Sequence, residues 1–467
     1  MRLAWLAALL AAAIATGAGA EDVGTGDPVL AAMVAEALER SPEYARARAA
    51  VLADREREPQ VGALPDPTLS LGIQNDGFGA IQIGKMETSY WQVMVTQPFP
   101  WPGKRGAREA AARAQARVTE AQLDRIRLST TAEVERGYVD LLLVRGRLEL
   151  QEKLETLWRQ AEAIARVRYE VGQAPQSDLL RAQLERTRLE QQRIALEATE
   201  RTRVETLNRF RFHPLDEPIP TTRRLADVGD PTVLAADAMV EDAERRSPDV
   251  AQARLSTEAA QRQVDVAKHD RWPDLSVTAG VMPRGSLDPM WLASVGITLP
   301  IFSASKQSRA VAESVDRRES EAQGEEGIRQ VVRLRAQERH TLLAALVRAD
   351  RLYRGGLLVQ SDAAVRSVLG QYEVGRVTFA AVLEVLRGLV ADESGYLDSL
   401  AQAQAVAIAQ REVSLESPAT AAGMLATGAV PGAGGMSGGG AVASASAGRG
   451  TGSATPAAAG GGASSGM

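Results

Sequence analysis

Four short segments of the chain alternate between apolar residues and small or polar ones. They occur as two pairs, residues 68–74 with 89–97 and residues 275–281 with 291–299. A period of two is typical of β-strands that have one apolar face and one polar face. A polar loop separates the two strands of each pair, and the second of these loops spans residues 283–289. The sequence therefore predicts two strand pairs with the same design.

Long stretches around the strand pairs have apolar residues at helical spacing. Leu150, Leu154, Leu157, Ala161 and Ile164 are separated alternately by four and three residues, which is the spacing of a heptad seam. No proline occurs between Pro102 and Pro175 or between Pro300 and Pro418, so nothing there interrupts a helix. The predicted helices span residues 28–60, 104–168, 177–210, 305–370 and 378–412.

Four landmarks recur in the same order in the two halves of the chain, which indicates an internal repeat. They are Ser41-Pro42 and Ser247-Pro248, Pro65-Asp66 and Pro273-Asp274, Pro98 and Pro300, and the Tyr-Glu-Val-Gly segments 169–172 and 372–375. The predicted organisation is a signal peptide (1–20), a first repeat (21–212), a connector (213–242), a second repeat (243–416) and a disordered Gly/Ala/Ser-rich tail (417–467).

Composition excludes several kinds of protein. The net charge of −5 gives no basic surface for nucleic acid, and the absence of cysteine excludes disulfides and thiol catalysis. His213, His269 and His340 are isolated, so we expect no metal site and no cofactor. The Gly-x-Ser-x-Gly match at 435–439 lies in the predicted tail, without the strand–turn–helix context of a nucleophile. The sequence therefore predicts a protein that is not an enzyme.

Two strand pairs are too few to close a barrel, and an open sheet leaves its edges unpaired. Strands of this length suit a tilted crossing of an outer membrane, with the apolar face towards lipid. Trp91 and Trp291 lie near strand starts, where interfacial aromatic residues are expected. A small soluble sandwich packed on the helices is the alternative. Export and very long helices favour a mainly α-helical chain that contributes its strands to a membrane β-barrel shared between chains.

From about Pro28 to Glu416, the chain resembles the TolC-like outer-membrane efflux channels. The features that carry the resemblance are the duplicated plan, the two Tyr-Glu-Val-Gly turns and the Gln-Pro-Phe-Pro-Trp-Pro-Gly-Lys-Arg run at 97–105. The resemblance implies a homotrimer with a twelve-stranded barrel in the outer-membrane lipid and a periplasmic helical tunnel. It also implies two partners, a periplasmic adaptor (membrane fusion) protein and an inner-membrane pump of the RND type.

The resemblance further assigns roles to the two helix tips. The implied adaptor contacts are Tyr169, Val171 and Gly172 in the first turn and Tyr372, Val374 and Gly375 in the second. Of two acidic aperture positions in the family, one is Ala381 here and the other is retained as Glu384. Asp178 matches an acidic gate position whose basic partner position is Val377, so Arg376 beside it is the candidate partner.

Pro98, Pro100, Pro102 and Gly103 in the first copy and Pro300 in the second form the predicted elbows between strand and helix. A similar Pro-Trp-Pro-Gly-Lys run is frequent in the heavy-metal branch of the family, which favours export of metal cations. A drug or small-molecule efflux channel and a type I secretion channel remain alternatives. A periplasmic adaptor or a structural coiled coil fits less well, because neither has a duplicated four-strand plan.

Overall fold

The structure is a computed structural model that describes residues 27–417. Within these residues the chain is dominated by long α-helices and has one four-stranded sheet, so the predicted fold class is confirmed. The predicted signal peptide and residues 418–467 of the predicted tail lie outside the described residues. No helix in the described range combines the length and the apolar composition needed to cross a membrane.

The two copies have the same order of elements. The first contains α1 (Pro28–Arg40), α2 (Pro42–Gly62), β1 (Thr68–Gln74), β2 (Tyr90–Phe99), α3 (Lys104–Glu170) and α4 (Gln176–Arg211). The second contains α5 (Ala236–Arg246), α6 (Pro248–His269), β3 (Asp274–Arg284), β4 (Leu287–Thr298), α7 (Gln307–Leu352), a π-helical turn (Tyr353–Leu357), α8 (Leu358–Glu373) and α9 (Phe379–Glu412). Helix α5 matches α1 and begins inside the segment 213–242.

Two of the predicted helices are divided in the structure. The predicted helix 28–60 is wrong as one element, because Ser41 is extended and its hydroxyl caps α2 by accepting from the Tyr44 amide. Pro42 cannot donate a backbone hydrogen bond and disfavours helical backbone at Ser41, so the helix ends and restarts there. The predicted helix 305–370 is interrupted by the π-helical turn. This turn has no sequence signal beyond Gly355-Gly356.

The sheet is antiparallel in the order β1-β2-β3-β4, so β2 and β3 join the two copies at its centre. Val93 pairs with Val281, and Val277 pairs with Val295, which keeps the alternating apolar residues on one face. The predicted loop 283–289 is wrong, because β3 and β4 extend to a tight turn at Gly285. Strands β1 and β4 form the two edges of the sheet.

The two largest hydrophobic clusters among the described residues hold the helices together. The first packs α1, α3, α4 and α9 around residues such as Tyr138, Leu207 and Leu400. The second packs the ends of both helical hairpins around Trp158 and Phe379. The predicted heptad seam lies in this second cluster, where Leu150, Leu154 and Ala161 are buried and Leu157 and Ile164 are partly buried.

The carboxyl end of α9 is fastened to both long helices by arginines. Glu412 is buried and pairs with Arg125 of α3 at 3.0 Å and with Arg136 of the same helix. Burial raises the pKa of the Glu412 carboxyl, and the two arginines oppose that shift. Arg339 of α7 is buried and donates to the carbonyl groups of Ser414 and Glu416. The end of the second copy is thereby held at the middle of the helical bundle.

Candidate functional site

The two helix tips are built by one backbone motif. Gly172 and Gly375 adopt left-handed φ angles of 74° and 75° directly after the last turn of each helix. The Gln173 amide donates to the Arg168 carbonyl at 2.7 Å, and the Arg376 amide donates to the Gln371 carbonyl at 2.9 Å. This six-to-one hydrogen bond is the Schellman motif, and its left-handed position favours glycine. The capping role predicted for both glycines is therefore present.

The tyrosines of the two turns lie in different environments. Tyr169 is 41% exposed, whereas Tyr372 is 1% exposed. The Tyr372 ring packs against Phe379, with 5.6 Å between ring centroids. The Arg168 guanidinium lies 4.6 Å from the centre of the Tyr372 ring and donates to the Tyr372 carbonyl at 2.7 Å. The first hairpin therefore covers the tyrosine of the second.

The structure places Asp178 beside Tyr372, and the Tyr372 hydroxyl donates to its carboxylate at 3.4 Å. Burial raises the pKa of the Tyr372 phenol to about 12, and the nearby Asp178 charge acts in the same direction. Among residues 27–417, no ion pair joins Asp178 to Arg376, which is exposed. The two hairpins are tied at their tips through Arg168, Tyr372 and Asp178.

Glu384 is exposed on α9, on the side opposite the buried Val382 and Leu386. One turn further along, Arg387 pairs with Glu185 of the first hairpin at 2.8 Å. Within the described range Glu384 itself has no ion pair, so its carboxylate is open to solvent. This position suits a charge that faces an aqueous passage.

The sequence pattern did not predict a buried carboxylate that lies between α3 and α4. Glu162 is buried and pairs with Arg166 at 3.0 Å and Arg186 at 2.5 Å. The hydrogen bond from Arg186 is the largest cause that lowers the Glu162 pKa. It borders an open cleft of about 410 Å³. The heptad pattern does not predict this burial. Glu162 follows the apolar heptad residue Ala161, and a charged residue at that place is expected on the surface.

The elbow of the first copy docks on the start of β3. Gly103 has a φ of 95°, and a Cβ there would lie 3.0 Å from the ring of His269. Lys104 is 4% exposed and pairs with Asp274 at 2.8 Å. The Asp274 carboxylate also accepts from the amide of Trp101 at 3.0 Å.

Stacked aromatic rings reinforce this junction. Trp101 and Trp272 lie 5.7 Å apart between ring centroids, with 7° between their planes. Arg108 and Asp270 add an exposed ion pair at 3.2 Å. Of the predicted elbow prolines, Pro98 lies inside β2, Pro100 and Pro102 follow it, and Pro300 follows β4. The first elbow is therefore held by contacts across the repeat boundary.

Two of the histidines, His213 and His269, have structural contacts. His213 hydrogen-bonds Glu217 at 2.9 Å, and His269 hydrogen-bonds the Asp265 carbonyl at 2.8 Å. Within residues 27–417, no group of three or more His, Cys, Asp or Glu side chains could hold a metal ion.

Several solved outer-membrane channels are similar to this chain in fold. CusC, solved in work on transmembrane channel formation, has a TM-score of 0.71 at 16% identity, covering 86% of this chain and 95% of CusC. The MtrE channel of Neisseria gonorrhoeae, solved in an open state, has a TM-score of 0.69 at 18% identity, covering 83% and 89%. VceC of Vibrio cholerae has a TM-score of 0.67 at 17% identity, covering 83% and 96%.

Sequence comparison identifies the family. No curated protein sequence matches the chain. The family model described as outer membrane efflux protein matches residues 33–211 and 239–415, which is more than half of the chain. The resemblance to efflux channels and the outer-membrane location are thereby confirmed. The chain belongs to the outer membrane efflux protein family, whose members are channels.

Proposed function

We propose that this chain forms the passive outer-membrane channel of a tripartite efflux system, as a homotrimer with a twelve-stranded barrel. The observation that carries the proposal is the four-stranded sheet with two unpaired edges. Every residue of β1 is exposed, whereas the central strand β3 alternates between half-buried and exposed residues. An edge strand of this kind needs a partner, and further copies of the chain supply it.

The two faces of the sheet support a barrel wall. On one face, apolar residues such as Leu71, Trp91 and Trp291 are exposed, which suits contact with lipid. On the other face, the hydroxyl groups of Thr96 and Thr278 hydrogen-bond each other at 2.9 Å. We assign this polar face to a water-filled lumen. Residues 1–20 would direct the chain out of the cytoplasm.

The helix tips are the proposed contact with a periplasmic adaptor protein. Val171 and Val374 are exposed beside the glycine caps, although each stands at the end of a well-packed helix. Exposed apolar residues at the tip of a hairpin favour contact with another protein. An inner-membrane pump of the RND type would supply the energy, because the sequence has no nucleotide-binding motif. The channel itself has no catalytic role in this proposal.

We propose heavy-metal cations as the exported substrates. The support is the Pro-Trp-Pro-Gly-Lys run, which is similar to that of the metal branch, and the exposed carboxylate of Glu384. In a trimer this residue would form a ring of three carboxylates, which attracts cations and repels anions. Asp178 would help to hold the aperture by accepting the hydrogen bond from the Tyr372 hydroxyl.

The test is growth of a strain that lacks this gene on graded zinc, cobalt, cadmium, copper and silver, beside dyes, detergents and antibiotics. We expect sensitivity to metals alone, restored by the intact gene. Sensitivity only to dyes and drugs would overturn the metal assignment. Extraction of the protein from membranes in detergent should yield a trimer by native mass spectrometry. A stable monomer would overturn the proposed assembly.

A further inference from the structure

The junction between the two copies has a counterpart at the free edges of the sheet. At the centre, the elbow that follows β2 meets the start of β3, and Lys104 pairs there with Asp274. The residue at the matching place after β4 is Lys306, which lies six positions after Pro300, as Lys104 lies six positions after Pro98. The residue at the matching place before β1 is Asp66, which follows Pro65 as Asp274 follows Pro273.

The local structure of these counterparts supports the match. Lys104 is the first residue of α3, and Lys306 is the residue that caps α7. The Lys104 amide donates to the carbonyl three residues before it, and the Lys306 amide donates to the carbonyl four residues before it. Both lysines therefore stand at the start of a long helix that follows a strand.

Among the residues that the structure describes, the counterparts have no ion-pair partner. Asp66 and Lys306 are both exposed, and neither has an ion pair within residues 27–417, whereas Lys104 is 4% exposed. The surrounding apolar residues are uncovered too, since Ile301 is 75% exposed and Phe302 is 68% exposed. Residues 293–298 of β4 are exposed along their whole length. This end of the sheet lacks the neighbour that β3 gives to β2.

We propose that Lys306 of one protomer forms an ion pair with Asp66 of the next, repeating the Lys104–Asp274 pair of the single chain. The inference rests on the proposed homotrimer, in which β1 of one copy continues the sheet beyond β4 of another. Lysine and aspartate carry opposite charges, so the two free edges are complementary at this point. A trimer contains three such pairs.

Two side-chain contacts of the central junction are not repeated. Trp101 and Trp272 correspond to Ser303 and Leu64, so the stacked rings have no counterpart. Arg108 corresponds to Ala310, so the second ion pair has none. Of the two ion pairs at the central junction, the Lys104–Asp274 pair is thus the one whose charged residues recur at the free edges, as Lys306 and Asp66.

The absence of cysteine allows a direct test by site-specific cross-linking. The variant carrying Asp66→Cys and Lys306→Cys is treated with a short bismaleimide in intact membranes. We expect covalent dimers and trimers on a denaturing gel, and no covalent oligomer from either single variant. The matched control carries Lys104→Cys and Asp274→Cys, whose cross-link stays within one chain and leaves the monomer band at its place.

Charge reversal provides a second measurement that does not depend on cysteine. Lys306→Asp should raise the monomer fraction in detergent roughly tenfold, and adding Asp66→Lys should restore the trimer, because opposite charges face each other again. A native trimer that neither cross-links nor responds to charge reversal would overturn the pair and leave the channel proposal standing. A wild-type chain that stays monomeric would overturn both.

Discussion

The two helix tips have the same backbone conformation but differ in the residues that cover them. Both turns read Tyr-Glu-Val-Gly and both close with the same left-handed glycine. Tyr372 is nevertheless buried under Arg168 of the first hairpin, while Tyr169 faces away from the chain. The repeated residues determine the local turn, and the neighbouring hairpin determines the environment of each tyrosine. Because the chain covers Tyr372 and leaves Tyr169 exposed, Tyr169 remains accessible to a partner.

Replacing each tyrosine by alanine should give the largest difference between the two tips. Tyr372→Ala should lower the free energy of opening the second tip by about 3 kcal/mol, because it empties a packed aromatic site. Tyr169→Ala should change the free energy of opening the first tip by no more than about 0.5 kcal/mol. Hydrogen exchange of the tip amides measures both. Equal effects at the two tips would contradict the difference in burial.

Arg168→Gln gives the first hairpin the residue that the second has at the matching position, Gln371. The substitution removes the contact with the Tyr372 ring and the hydrogen bond to its carbonyl. We expect the second tip to lose about 2 kcal/mol of protection against exchange. Gln371→Ala is the matched control and should leave protection within about 0.5 kcal/mol. Unchanged protection in Arg168→Gln would show that Arg168 does not help to hold Tyr372 in place.

Glu162 and Val365 occupy matching positions in the two hairpins, so at this position only the first hairpin carries a buried carboxylate. Its lowered pKa means that the ionised form stabilises the folded protein above the unfolded value near 4.5. This stabilisation is lost as the pH falls through the folded pKa. Glu162→Gln should therefore cost about 1 kcal/mol at pH 7, since Arg166 and Arg186 are partly exposed.

The measurement for Glu162 is chemical denaturation at pH 7 and in acid. The difference between wild type and Glu162→Gln should shrink below pH 4.5 or so as the wild-type carboxylate takes up a proton. Glu155→Gln, which alters an exposed pair with Arg159, serves as the control and should have little effect at either pH. A difference that stays constant with pH would point to packing instead of charge.

The smallest expected effect concerns the charge of the two tips. Glu384 on the second hairpin matches Arg181 on the first. Glu384→Gln should lower the ratio of cation to anion permeability about twofold, because it removes the proposed ring of carboxylates. Reversal potentials across planar bilayers measure this ratio. Arg181→Gln removes a positive charge and should not lower this ratio. Unchanged selectivity in Glu384→Gln would remove that residue from the constriction.

Local sequence patterns predicted the helices and strands, but they could not predict contacts between residues that are far apart in the sequence. The alternation around Leu71 and Val93 and the heptad seam around Leu154 each depend on neighbouring residues, so a sequence can reveal them. The Lys104–Asp274 pair joins residues 170 positions apart, and no periodicity reports such a contact. For the same reason the sequence could not show that Asp178 faces Tyr372. The division at Ser41-Pro42 had a signal, because a proline after a capping serine begins a helix.

The π-helical turn has a mechanical consequence. Lys104 and Lys306 lie 202 positions apart, whereas Gly172 and Gly375 lie 203 apart, so the second arm is one residue longer than the first. The turn at Tyr353–Leu357 absorbs that residue. Helix α3, by contrast, is one uninterrupted α-helix about 100 Å long at 1.5 Å per residue. The arm formed by α7 and α8 contains a π-helical turn with two glycines, a feature at which helices kink, whereas α3 is a single α-helix without such a turn.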